Sequence, residues 1–179
     1  MAKVNTKDFI KKMDALATTY SRIPTEIATI AVNFSKERFR EQAWLDETKE
    51  PWKPRSRKRR GGKSRSQTLL VDTGRLKRSI RKIYVSESKV IIGTDVPYAQ
   101  IHNDGGIIQE TVTVKTHNRK EHTRNRAGRT ERVRAHTVNA HRRSINVRIP
   151  KRQFIGNSYA LERRMYLHIA SRFAKALKS

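Results

Sequence analysis

Residues 68–106 read TLLVDTGRLKRSIRKIYVSESKVIIGTDVPYAQIHNDGG, and the periods inside that stretch decide the fold. Thr68 to Thr73 read as a turn that leads into a short helix over 74–81, with Leu76 and Ile80 on its inward face. Ile83-Tyr84-Val85 and Lys89-Val90-Ile91-Ile92-Gly93 read as two short strands around the polar turn Ser86-Glu87-Ser88. Tyr98-Ala99-Gln100-Ile101-His102 is a helical turn, stopped by Asn103-Asp104-Gly105-Gly106.

Outward from this centre the apolar period becomes helical. Phe9, Ile10, Met13, Leu16, Ala17 and Tyr20 recur at three and four. Ser21 to Pro24 interrupt them, and Ile23, Ile27, Ile30, Ala31 and Phe34 resume the stripe, continued by Phe39. The N-terminal third is thus one broken or bent helix, or a short helix followed by a long one. A last helix is predicted over 158–177, its stripe Leu161, Met165, Ile169 or His168, Phe173 and Leu177. Between these ends, Thr111-Val112-Thr113-Val114 and Ile145-Asn146-Val147-Arg148-Ile149 alternate as strands do, while 117–132 is nearly all polar and reads as a hairpin tip or mobile arm. No internal repeat stands out. The predicted fold is α+β: a long N-terminal helical region and a C-terminal helix on a small, mostly antiparallel sheet. We expect one domain over 1–179, with a basic loop at 49–66 and a basic hairpin insert at 107–149.

Composition narrows the partners. The 179 residues hold 41 Lys and Arg against 16 Asp and Glu, a net charge of +25, and the mean hydropathy is −0.81 with a pI near 11.2. Nine basic residues face Glu50 alone in 49–66, and eleven face three glutamates in 107–149. Such segments cannot bury enough apolar surface to offset their ordering entropy, so they read as arms that meet a partner. The arm residues singled out are Lys53, Arg55, Arg57, Lys58, Arg59, Arg60, Lys63 and Arg65 in the loop. In the insert they are Arg119, Lys120, Arg124, Arg126, Arg129, Arg132, Arg134, Arg142 and Arg143. Three readings compete: phosphate neutralisation, docking on an acidic protein surface, or solubility. The absence of acids from 55–65 favours a partner. Only Trp52 borders the charge, which argues against base stacking and for backbone contact if nucleic acid is touched.

Chemistry is harder to place. The lack of cysteine excludes disulfides, thiolate metal sites and a Cys nucleophile. His117 and His122, like His136 and His141, stand five apart, but helical metal pairs stand four apart and no Asp or Cys completes a set. A catalytic centre would have to use His102 and Asp104, with Asp95, Tyr98 or Ser158, and too few carboxylates converge for metal-assisted phosphodiester cleavage. No phosphate-cradling glycine motif, bilayer-length apolar run or signal-peptide stretch is present. The expectation is a non-enzyme without cofactor or metal, made and kept inside a cell and not bound to a membrane.

Four fragments then align with a known pattern. Phe39-Arg40-Glu41-Gln42 followed by Pro51-Trp52-Lys53-Pro54, the stretch from Leu69 through Thr73, Gly74 and Leu76 to Ile80, and Ile92-Gly93-Thr94 with Tyr98-Ala99-Gln100-Ile101-His102-Asn103-Asp104-Gly105-Gly106 come in order. Ile149-Pro150-Lys151-Arg152-Gln153-Phe154-Ile155-Gly156 closes the series. Together they resemble the tailed-phage virion morphogenesis family, which includes Mu-like tail-completion and neck proteins. The segment between Gly106 and Pro150 looks longer and more basic than the family's usual connection, so no role carries over to it. The resemblance implies a structural virion protein acting at the head–tail junction as a ring subunit. Its partners would be copies of itself and portal, adaptor, tail-terminator or tube proteins, with packaged DNA as a further backbone partner. The motif residues read as scaffold: Thr73 and Gly74 start a helix, Tyr98, Ile101 and Phe154 fill a small core, Pro150 ends a strand and Gly156 turns the chain. The competing class is a basic nucleic-acid-binding protein of ribosomal or chromatin type, separable by the salt dependence of its binding.

Overall fold

The computed structural model describes residues 6–54 and 68–178. The chain is α+β and divides into two compact units, residues 1–105 with 150–179, and residues 106–149.

In the first unit, helix α1 (Thr6–Glu41) runs unbroken for 36 residues, straight through Pro24. Proline has no N–H for the Tyr20 carbonyl, yet one lost bond does not end a helix that packs over its C-terminal half. The expected break is absent. The helix stops at Gln42, whose φ of 55° puts it in the left-handed region. Strands β1 (Ala43–Leu45) and β2 (Lys49–Pro51) then pair, with Trp44 opposite Glu50. The first residues of the predicted basic loop are therefore a strand; its remainder, with Arg55, Arg57, Lys58, Arg59, Arg60, Lys63 and Arg65, lies outside the described residues. Helix α2 (Arg75–Ser79) starts after Gly74 at φ 75°. Strands β3 (Arg81–Val85) and β4 (Val90–Gly93) form the predicted hairpin with an irregularity between Lys82 and Tyr84, and helix α3 (Ala99–Asp104) ends at Gly105.

Helix α4 (Tyr159–Lys178) lies antiparallel along α1, tied by Arg164 to Glu37 at 2.9 Å and by Arg172 and His168 to Glu26 at 3.0 and 2.7 Å. Ser158 caps it, accepting the Leu161 amide at 3.2 Å while donating to the Leu45 carbonyl at 2.7 Å. The α4 stripe ends on buried Ala176; the predicted Leu177 is exposed. The early α1 stripe is helical as expected but uncovered: Phe9, Ile10, Met13 and Tyr20 are about half exposed. The core gathers Val32 and Phe39 of α1, Trp52, Leu76, Ile80, Val96, Ala99 and Phe154. Tyr98, expected inside, is 42% exposed.

The second unit is a ribbon. Strands β5 (Gly106–Val114), β6 (His117–Arg119) and β7 (His122–Arg126) pair with β10 (His141–Ile149), β9 (His136–Val138) and β8 (Arg129–Val133). One register holds from Gly106↔Ile149 to Arg126↔Arg129, so the three ladders are a single antiparallel hairpin with two interruptions. Its turn is Ala127-Gly128, both at positive φ (51° and 78°), as the tight two-residue hairpin turn demands. The polar middle is thus paired strand, not a loose tip. Instead of one small sheet, the described residues form five two-stranded antiparallel ladders.

Candidate functional site

The motif residues converge in the first unit on one junction where four chain segments are bonded together. Phe39 meets the Trp52 ring edge-on with centroids 5.6 Å apart, and the Phe154 ring at 5.0 Å. The Trp52 indole N–H donates to the Gln153 carbonyl at 3.0 Å, and its amide donates to the Gln42 carbonyl at 2.8 Å. Arg152, buried to 8% exposure, donates from Nε and Nη2 to the Lys53 carbonyl at 3.1 and 2.9 Å. The Arg152 amide donates to the His102 carbonyl, and Asn103 Oδ1 accepts the amides of Phe154 and Ile155 at 2.9 and 3.0 Å. The segment just after Pro150 is thereby fastened to both α3 and the strand-end at Trp52.

Glycines serve this junction by conformation. Gly74 takes the left-handed φ that opens α2, and Thr73 Oγ1 accepts the Arg75 amide at 3.4 Å. Gly156 takes φ 157°, and a Cβ there would require the Gln153 amide end to move aside. Gly93 lies against Ile83, whose side chain a Cβ would meet at 3.3 Å. Leu76 is buried, and Gly105 bonds back to the Ile101 carbonyl at 3.1 Å.

The conceivable catalytic set does not assemble. Asp104 accepts from Asn103 at 2.7 Å, Asp95 faces Arg81 at 3.7 Å, and Ser158 caps α4. His102 stacks edge-on to Tyr98 at 6.0 Å, beside a small cleft of about 170 Å³ lined also by Leu70 to Leu76. Its Nδ1 is buried without a partner among the described residues, and burial, aided by the Arg152 charge, lowers its pKa. No group of three or more His, Asp and Glu among the described residues is placed to hold a metal, and no described helix is long and apolar enough to cross a membrane.

The paired histidines have a different use. His117, His122, His136 and His141 each bond through Nδ1 to the carbonyl two residues before, at 2.9–3.1 Å. Each one re-enters the ladder after an interruption, so the spacing of five is a repeat of the ribbon. That repeat escapes the sequence reading because its flanking residues vary. Register puts Ile108, Val112, Val114, Ile145, Val147 and Ile149 on one ribbon face. Arg119, Lys120, Arg124, Arg126, Arg129, Arg132 and Arg134 belong to the outer part, Arg142 and Arg143 to β10.

Two ion-paired features carry no sequence signal. Arg38 is fully buried, with its guanidinium 4.4 Å from the Phe34 ring centre and pairs to Glu41 and Glu37 at 3.3 and 3.6 Å. Glu26 sits between His168 and Arg172, whose bonds and charges hold its carboxyl below the usual range against a smaller opposing effect of burial.

The first unit is thus an α+β body whose segments are tied mainly by side-chain-to-backbone hydrogen bonds, continued in sequence by a basic β-ribbon. The model of the phage virion morphogenesis family matches residues 4–174. The chain belongs to that family, and its role lies in phage virion morphogenesis. No curated protein and no solved structure matches it significantly.

Proposed function

We propose that the chain is a structural component of a tailed-phage particle, acting in tail completion or at the neck as a ring subunit that helps join head to tail. The family match over residues 4–174 carries this reading. The order of the sequence fragments, similar to tail-completion and neck proteins, supports the finer placement. So does the construction of the first unit: its motif residues tie chain segments to one another, and Asp104, Asp95 and Ser158 are engaged in a turn, an ion pair and a helix cap. The basic loop and ribbon then serve as the contacts to neighbouring copies, to portal, adaptor or tail proteins, and to the genome in the virion.

The test is complementation. Phage lacking this protein should accumulate filled heads and separate tails, visible by electron microscopy, and purified protein should restore joined particles. Joined, infectious particles formed at normal yield without the protein would refute the reading.

A further inference from the structure

The outer part of the ribbon, residues 117–138, holds seven basic residues and two acids. Both acids are consumed across the strands: Arg124 pairs with Glu131 at 2.9 Å, and Arg132 with Glu121. At the turn the register sets Arg126 directly opposite Arg129, and neither has an acidic partner among the described residues. Like charges directly opposed destabilise a ladder, so the tip carries a local cost that an anion would relieve.

We propose that this tip binds the phosphate backbone of duplex DNA. Between Lys115 and Ser144 there is no Leu, Ile, Met or aromatic residue. Protein interfaces commonly centre on buried aromatic side chains, Met and Arg, and of these the surface has only Arg. What it does offer is Arg, Lys, Thr, Asn and His, the side chains that commonly contact phosphate. Lack of aromatics also removes the stacking platform that single strands need. Residues 117–126 span about 33 Å at ~3.3 Å per residue, close to one turn of the duplex, and a two-stranded ribbon has the width the major groove admits. Binding is therefore electrostatic and independent of sequence. The inference draws on the assembly reading only for the source of the DNA.

Full-length protein titrated with a fluorescent 30-base-pair duplex at several salt concentrations provides the test. The double variant R126A/R129A should flatten the slope of log K against log salt by about 1.8, from ~0.9 per phosphate contact, and weaken binding by roughly one to two orders of magnitude at 0.1 M salt. R126K/R129K should keep the slope, and circular dichroism should show both variants folded. An unchanged slope in the alanine variant, or no duplex binding by wild type at 0.1 M salt, overturns the proposal. Particle assembly lost with the slope intact would overturn it while leaving the head–tail reading standing. A flattened slope with normal joining supports the DNA contact and counts against the tip as the joining clamp.

Discussion

Gln42 uses its whole amide as a substitute for secondary structure. Its Oε1 accepts the Leu69 amide at 2.6 Å, and Nε2 donates to the carbonyls of Leu69 and Phe39 at 3.2 and 2.6 Å. One side chain thus closes the end of α1 and satisfies both backbone groups of a residue 27 positions away. Q42A should cost about 1–3 kcal/mol, because the Leu69 N–H and C=O are left without their partner in a partly buried site. Urea denaturation of the two proteins measures it, and a loss under about 0.5 kcal/mol would mean that solvent replaces the amide fully. A sequence marks Gln42 as part of a motif but not what it binds, since the bond partner lies 27 positions away in the chain. Arg38 is less legible still. An arginine on a helix reads as solvent-facing, and only the folded neighbourhood of Phe34, Glu37 and Glu41 makes burial tolerable.

Elements were legible where period and burial coincide. Helices α3 and α4 follow the sequence pattern to within a residue or two because each has a partly covered face. The β3–β4 hairpin was legible from its β-branched runs and polar turn, although all of β3 but Val85 is exposed. The first turns of α1 show the limit: Phe9, Ile10 and Met13 keep a helical period whether or not anything covers them. The ribbon shows the opposite limit. Its outer strands lack an apolar face, so alternation, the signal that marks a strand, has nothing to act on, while backbone pairing continues. Ala127 is a weak point in that pairing. At φ 51° it holds a conformation that disfavours a Cβ, where asparagine is better suited. A127N, which creates the preferred Asn-Gly turn, should stabilise the hairpin by about 0.5–1 kcal/mol. The readout is slower amide exchange for residues 123–132, with rates in α1 unchanged. Equal exchange in both proteins would show that the turn does not limit the ribbon's opening.

At the scale of the whole molecule, burial among the described residues is confined to one of the two units. Every buried side chain among the described residues, from Thr19 to Ala176, belongs to 1–105 or 150–179, and none lies in 106–149. A two-stranded ribbon without a covering layer is marginal in water, so this segment contributes little to holding the first unit together. The pairing of Gly106 with Ile149 brings the two ends of the segment side by side. Replacing residues 107–148 by Asn-Gly would therefore close the chain with the same kind of turn that now ends the ribbon. The shortened protein should keep its helical circular dichroism and melt within a few degrees of wild type, because the contacts that join Phe39, Trp52 and Phe154 and the Arg152 bonds to Lys53 lie outside the removed segment. It should also fail to restore head–tail joining in the complementation assay. A large fall in melting temperature would show that the ribbon supports the body. An intact melt with intact joining would instead confine the assembly contacts to the first unit, with its uncovered α1 stripe and the basic residues that follow Trp52.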